Sequence, residues 1–224
     1  MSPDQRSVRK FIFDHFFEHS TPPVIEEVMQ KFGLGRAQAL SALKGLEEDH
    51  HILLVPGTQR ILMANPYSAV TTPFLVHIGG RRYFANCAWD TISMHMMLEM
   101  DARVESYCHH CGEGIELSLS DGRVISSSPP SPIIFLSTSV SRWYENLINT
   151  CSNNMVYFAS EEHSSAWRSA NPSLAGESLS PEKMIEVCRL LSKGRAGLDY
   201  ERPPKEDLMR HWESIGLKSE FWKF

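Results

Sequence analysis

Arg81-Arg82-Tyr83-Phe84-Ala85-Asn86-Cys87-Ala88-Trp89-Asp90-Thr91 is the stretch on which the reading of this chain turns. Arg82 to Asn86 is rich in aromatic and β-compatible residues and reads as a strand. Cys87 then falls at a strand-to-helix junction, and the helix is expected to run to about Glu99. Asp90 follows Cys87 by three positions, which on a helix puts both side chains on one face. A helix N-terminus carries free N–H groups and partial positive charge, and both favour a thiolate, the form that attacks and binds metals. A neighbouring carboxylate can move a proton between a thiol and a leaving group. The plainer alternative makes Asp90 a helix cap and Cys87 a small buried hydrophobe.

Upstream, residues 1–66 read as one module. Ser2-Pro3 opens a first helix, with Val8, Phe11, Ile12, Phe13 and Phe16 on a wide apolar face. Thr21-Pro22-Pro23 interrupts it. Ile25, Val28, Met29 and Phe32 mark a short second helix ended by Gly33. Ala37, Leu40, Leu43 and Leu46 mark a third, starting near Gly35-Arg36. His51 to Val55 and Arg60 to Ala64 read as strands around a Pro56-Gly57 turn. Three helices and a hairpin are the order of a winged-helix-like module.

Asn65-Pro66 marks a boundary, and residues 67–200 read as a second domain. Phe74 to Ile78 and Arg82 to Asn86 are strands joined by Gly79-Gly80. Arg103 to Tyr107 and Ile115 to Leu119 are strands flanking Cys108-His109-His110-Cys111-Gly112. Asp121-Gly122 is a tight turn, and Pro129 to Pro132 is a loop. Ile133 to Leu136 and Met155 to Phe158 are strands, with a helix expected over Val140 to Ile148. Glu161 to Arg168 and Pro181 to Leu191 read as helices, and Asp199 to Pro204 as a charged linker. Residues 201–224 form an amphipathic extension with Trp212, Phe221 and Trp222. The fold class is α+β: a three-helix module, then a mixed, mainly antiparallel sheet with flanking helices.

The 224 residues can bury a substantial core, and 42% apolar with 22% charged residues is ordinary globular composition. A net charge of −5 argues against bulk attraction to nucleic acid or anionic membrane. On the third helix Arg36, Gln38 and Lys44 face repulsion from Glu47, Glu48 and Asp49, so DNA is not an expected partner. No stretch is long and apolar enough for a membrane span, and the N-terminus lacks signal-peptide features. Five cysteines, an odd number, read as reduced thiols of a cytoplasmic protein.

The segment from Arg81 to Thr91 resembles the part of the alkylmercury (organomercurial) lyases that carries their first catalytic cysteine and the aspartate. The likeness continues through Ala102-Arg103-Val104-Glu105-Ser106-Tyr107-Cys108, similar to the strand ending in the family's third, structural cysteine. It reappears near Cys151, where Val156 to His163 and Trp167 resemble the segment after the second catalytic cysteine. One residue more than the family pattern separates Cys151 from that strand. Cys151 is therefore expected to reach the site through a bulge, or to be displaced from it.

The resemblance implies cleavage of a carbon–mercury bond by protonolysis. Cys87 and Cys151 would be the mercury-binding catalytic thiolates and Asp90 the proton carrier and transient metal neighbour. Mercury is soft and prefers thiolates, in keeping with that role. The implied partners are a small organometal substrate and free thiols that supply protons and accept the product; a homodimer is compatible. No organic cofactor is required. Trp89, Met94 and Phe158 are candidates to line an apolar pocket. Cys108 and Cys111 have the C-x2-C spacing of a zinc knuckle, and His109, His110 or His163 are candidates to complete it. A lone pair supplies two ligands only, so structural zinc is not expected, and Cys108 otherwise reads as packed structure. Cys188 reads as core. The alternatives are a non-catalytic soft-metal-binding relative of the lyase fold and a winged-helix metal-responsive regulator.

Overall fold

A computed structural model describes residues 3–224, so the expected role of Ser2 in opening the first helix lies outside the described residues. Helix α1, Pro3–His19, buries Val8, Ile12, Phe13 and Phe16, spaced to fall on one face. Helix α2, Ile25–Phe32, has its first turn closed by Glu27, whose carboxylate accepts from the Val24 N–H at 2.7 Å. It stops at Gly33, whose φ of +63° is the left-handed conformation. In α3, Arg36–Glu48, the buried stripe is Ala39, Leu43 and Leu46. The expected stripe placed Ala37 inside, but Ala37 is exposed and Leu40 is half-buried. The stripe through Ala39 keeps the four-then-three spacing of a helix face.

The hairpin pairs β1, Leu53–Leu54, with β2, Ile61–Ala64. A short strand β3, Tyr67–Ser68, pairs with β2 on one side and with β5 on the other. Strands β4, Leu75–Ile78, and β5, Arg81–Ala85, form a hairpin closed by Gly79 and Gly80. Both glycines have positive φ, +57° and +75°, as a two-residue turn matching the strand twist requires. After α4, Ala88–Leu98, come β6, Ala102–Tyr107, β7, Gly114–Ser120, and β8, Arg123–Ser128. The result is one antiparallel sheet in the order β1-β2-β3-β5-β4-β6-β7-β8, continuous from the N-terminal hairpin into the strands around Cys87.

A second, three-stranded sheet holds β9, Ile133–Leu136, at its centre. The expected helix over Val140 to Ile148 is instead a 3-10 turn at Val140–Arg142 and a separate helix α5, Leu147–Asn154. Asn146 starts α5, its side chain accepting from the Asn149 N–H at 3.1 Å. Strand β10, Met155–Phe158, follows at once, every residue buried, and pairs with β9. Then come α6, Glu161–Ala170; β11, Glu177–Leu179, on the other edge of β9; α7, Pro181–Ser192; and α8, Lys205–Ser214. Helix α4, with nine buried residues, lies at the centre against α7, β4, β5 and β10. Thr91 and Tyr157 join hydroxyls at 2.7 Å, pinning the first turn of α4 to β10. Among the described residues no helix is long and apolar enough to cross a membrane.

Candidate active site

Cys87 ends the β5–α4 connection in extended backbone, φ −158° and ψ 177°, as the residue before the first helical turn. Its side chain makes no capping bond there. Asp90 sits in the first turn of α4. Its carboxylate Oδ2 accepts from Asn86 Nδ2 at 3.1 Å. The same amide reaches Asn65 Oδ1 at 2.9 Å and the Pro66 carbonyl at 3.2 Å. The local spacing therefore produces a shared face, as the helix geometry demands, and Asn86 holds the acid in place.

Cys151 arrives from the other sheet. It lies in the second turn of α5, whose C-terminus runs directly into β10. No bulge is needed: the helical path turns Cys151 inward, 5% exposed. The ligand atoms of Cys87, Asp90 and Cys151, all buried, lie within 4.8 Å of one another. The Cys87 thiol also points at Met155 Sδ, 3.7 Å away.

Electrostatics sharpen the picture and correct one expectation. The helix N-terminus was expected to bring the Cys87 thiol down. Burial dominates instead and pushes it well above the ordinary cysteine value, with the Cys151 thiol and the Asp90 charge adding to the rise. Asp90 is also raised, to about 6, by burial; the Arg195 cation and hydrogen bonds from Asn86 and Cys87 oppose the rise. A carboxyl near 6 can both take and give a proton near neutral pH.

The three groups open on a cavity of about 70 Å³ whose walls include Trp89, Trp143, Leu147, Met155, Arg195 and Arg202. Of the three residues expected to line it, only Trp89 does so. Met94 is wholly buried on α4, and Phe158 packs against Phe135, Trp167 and His109. Both are core because an aromatic or methionine near the site in sequence need not face it in space.

The family model for alkylmercury lyase (MerB) matches residues 67–193, more than half of the chain. The chain belongs to the alkylmercury lyase family. The alkylmercury lyases of Bacillus cereus and Clostridium butyricum are each 25% identical over 122 residues, 54% of this chain and 54% of theirs. That of Pseudomonas putida is 28% identical over 103 residues, 46% of this chain and 48% of its own. The chain thus spans about half the length of the curated lyases it matches. The crystal structure of the mercury-bound form of MerB2 superposes with a TM-score of 0.72 at 25% identity, covering 86% of this chain and 91% of that one. The lyase-family match contains Cys87, Asp90 and Cys151 and stops just short of Arg195.

Several residues around the site escaped the sequence reading. Asn86 was readable in principle, lying four positions before Asp90 beside the strand end. Arg195 and Arg202 come from the segment after α7, where no local pattern signals a pocket. Of the remaining cysteines, Cys188 is wholly buried in α7. Cys108 and Cys111 come together with His163, away from this cavity.

Proposed function

We propose that the chain is an organomercurial lyase that cleaves a carbon–mercury bond by protonolysis. The observation that carries this reading is the buried cluster of two thiols and one carboxylate within 4.8 Å, opening on a small cavity.

In this mechanism one of the two thiols, Cys87 or Cys151, loses its proton and displaces the anionic ligand of R–Hg–X. Asp90, ionised at rest above about 6, takes the proton of the second thiol. Both sulfurs then bind mercury. Two thiolate donors raise electron density on the metal and weaken its bond to carbon. The carbon–mercury electron pair stays on carbon and takes the proton from Asp90, releasing R–H. Asp90 returns to its carboxylate form, and Hg(II) remains as the dithiolate until free thiols remove it. Arg195 beside Asp90 favours the carboxylate, which keeps Asp90 ionised at rest and helps it give up its proton to carbon.

Incubation of the purified protein with an alkyl- or arylmercury salt and excess thiol should release the hydrocarbon R–H, detected by gas chromatography. Cys87→Ser should abolish release. Hydrocarbon at the wild-type rate in that variant would refute the two-thiol assignment. Tight mercury retention by the wild-type protein with no hydrocarbon would instead mark it as a binding relative.

A further inference from the structure

We propose that Cys108, Cys111 and His163 form a binding site for a zinc-class divalent metal ion, separate from the cavity at Cys87. The proposal does not depend on the lyase reading. The sequence supplied two ligands in Cys-x2-Cys; the fold brings the third from α6.

The geometry is that of a metal-binding turn. Cys108 and Cys111 sit in the connection between β6 and β7. The Cys108 N–H donates to the Glu113 carbonyl at 2.7 Å, and the Gly112 N–H donates back to the Cys108 carbonyl at 2.8 Å. Gly112 takes φ +78°, which lets the chain fold back just after the second cysteine. His163 Nδ1, in the first turn of α6, lies 3.5 Å from each sulfur. A tetrahedral zinc with bonds of about 2.3 Å to sulfur and about 2.0–2.1 Å to nitrogen needs a sulfur–nitrogen edge of roughly 3.5–3.6 Å. The observed edges match that value before any ion is placed.

The surroundings also suit a metal thiolate. Cys111 is exposed, so an ion has an entry path and a fourth corner open to water. The His110 ring, 5.4 Å from that of His163, is within reach as an alternative fourth ligand. His109, by contrast, packs on Phe158 and Trp167 and is not a ligand. Its N–H donates to the Tyr157 carbonyl at 2.8 Å, so the turn is already docked on β10. A bound ion would join the β6–β7 turn of the large sheet to the β10–α6 junction of the small one. It would act as a structural clip, with two thiol protons released to solvent on binding.

The test uses the full chain, reduced, in a Cys87→Ser/Cys151→Ser background so that the other thiol pair does not compete. Co(II) titration should give the tetrahedral thiolate–cobalt spectrum at about one equivalent per chain, displaced by Zn(II). Zn(II) should also raise Tm. Cys111→Ser and His163→Ala in that background should each lose the cobalt spectrum and the Tm rise. His163 is half-buried on a helix, so His163→Ala carries the test if Cys111→Ser does not fold. Failure of the background protein to bind Co(II), or unchanged binding in His163→Ala, would overturn the proposal.

Discussion

Burial holds the Asp90 carboxyl at about 6, against 3.8 for an ordinary aspartate, and this has consequences for both rate and stability. To accept a thiol proton Asp90 must first be ionised, so turnover should fall about tenfold per pH unit below about 6 and level off above it. In Asp90→Asn that limb should vanish with the activity, while Hg(II) binding by the two thiols persists; a full wild-type rate would reduce Asp90 to a structural role. For stability the sign runs the other way from a salt-bridged acid. Between about 4 and 6 the folded state keeps a proton that the unfolded chain has lost, so stability falls as pH rises through that window. The loss amounts to about 3 kcal/mol by pH 7. Urea unfolding at pH 4 and pH 7 should show it in the wild type and not in Asp90→Asn.

At the scale of elements, the cavity wall formed by the start of α5 and the turn before it sets what fits. The volume of about 70 Å³ is half of the roughly 150 Å³ that accommodates a benzene ring in an apolar protein cavity. In the proposed reaction a methyl group should fit that space more readily than an aryl group, which would need Trp143 or Leu147 to give way. Leu147→Ala should therefore raise kcat/KM for phenylmercury relative to methylmercury by about tenfold or more, the usual scale for one extra carbon group in a pocket. An unchanged ratio would place the substrate carbon elsewhere. The same element shows where sequence reading reached its limit. Cys87 and Asp90 were legible as a pair because three residues of helix fix their relation locally. The position of Cys151 was not, because it depends on where α5 begins after the 3-10 turn and on β10 pairing with β9. The element order and the antiparallel sheet followed from local patterns of alternation and turns. Strands as short as β3 and β11 have too few residues to show a period, and they appear only through their partners.

At the scale of the whole molecule, the N-terminal helices reach the site indirectly. Arg9 of α1 is wholly buried. Its Nη1 donates to the Arg195 carbonyl at 2.7 Å, and its second amino group bonds the Gly197 carbonyl. Its guanidinium lies over the rings of Phe13 and Tyr200, at 5.1 and 5.2 Å. Burial and the Arg195 cation lower its pKa to about 10, which still leaves it charged at neutral pH. Arg202 in turn donates to the Asp49 and His50 carbonyls at 3.1 and 3.0 Å. The segment that carries Arg195 and Arg202 to the cavity is thus fastened from residues 1–66. Arg9→Met should cost about 3 kcal/mol or more, since each hydrogen bond from a buried charge contributes about 1.5–3 kcal/mol. Because Arg195 would then be free to leave Asp90, the acidic limb of the rate profile should also move to higher pH. A stability loss with no such movement would mean that the segment keeps its place without Arg9.

The aromatic rings behind the cavity carry a further consequence. Trp89 and Trp143 meet at 4.9 Å, Trp143 and Trp212 at 6.1 Å, and Trp212 and Trp222 at 5.4 Å. Four of the five tryptophans therefore form one unbroken relay from the C-terminal tail to the cavity wall. Light absorbed anywhere along it can migrate to Trp89 and Trp143, where a heavy atom held by Cys87 and Cys151 would quench it by spin–orbit coupling. If the site binds mercury as proposed, ultraviolet emission should dim as mercury is added and return when free thiols remove it.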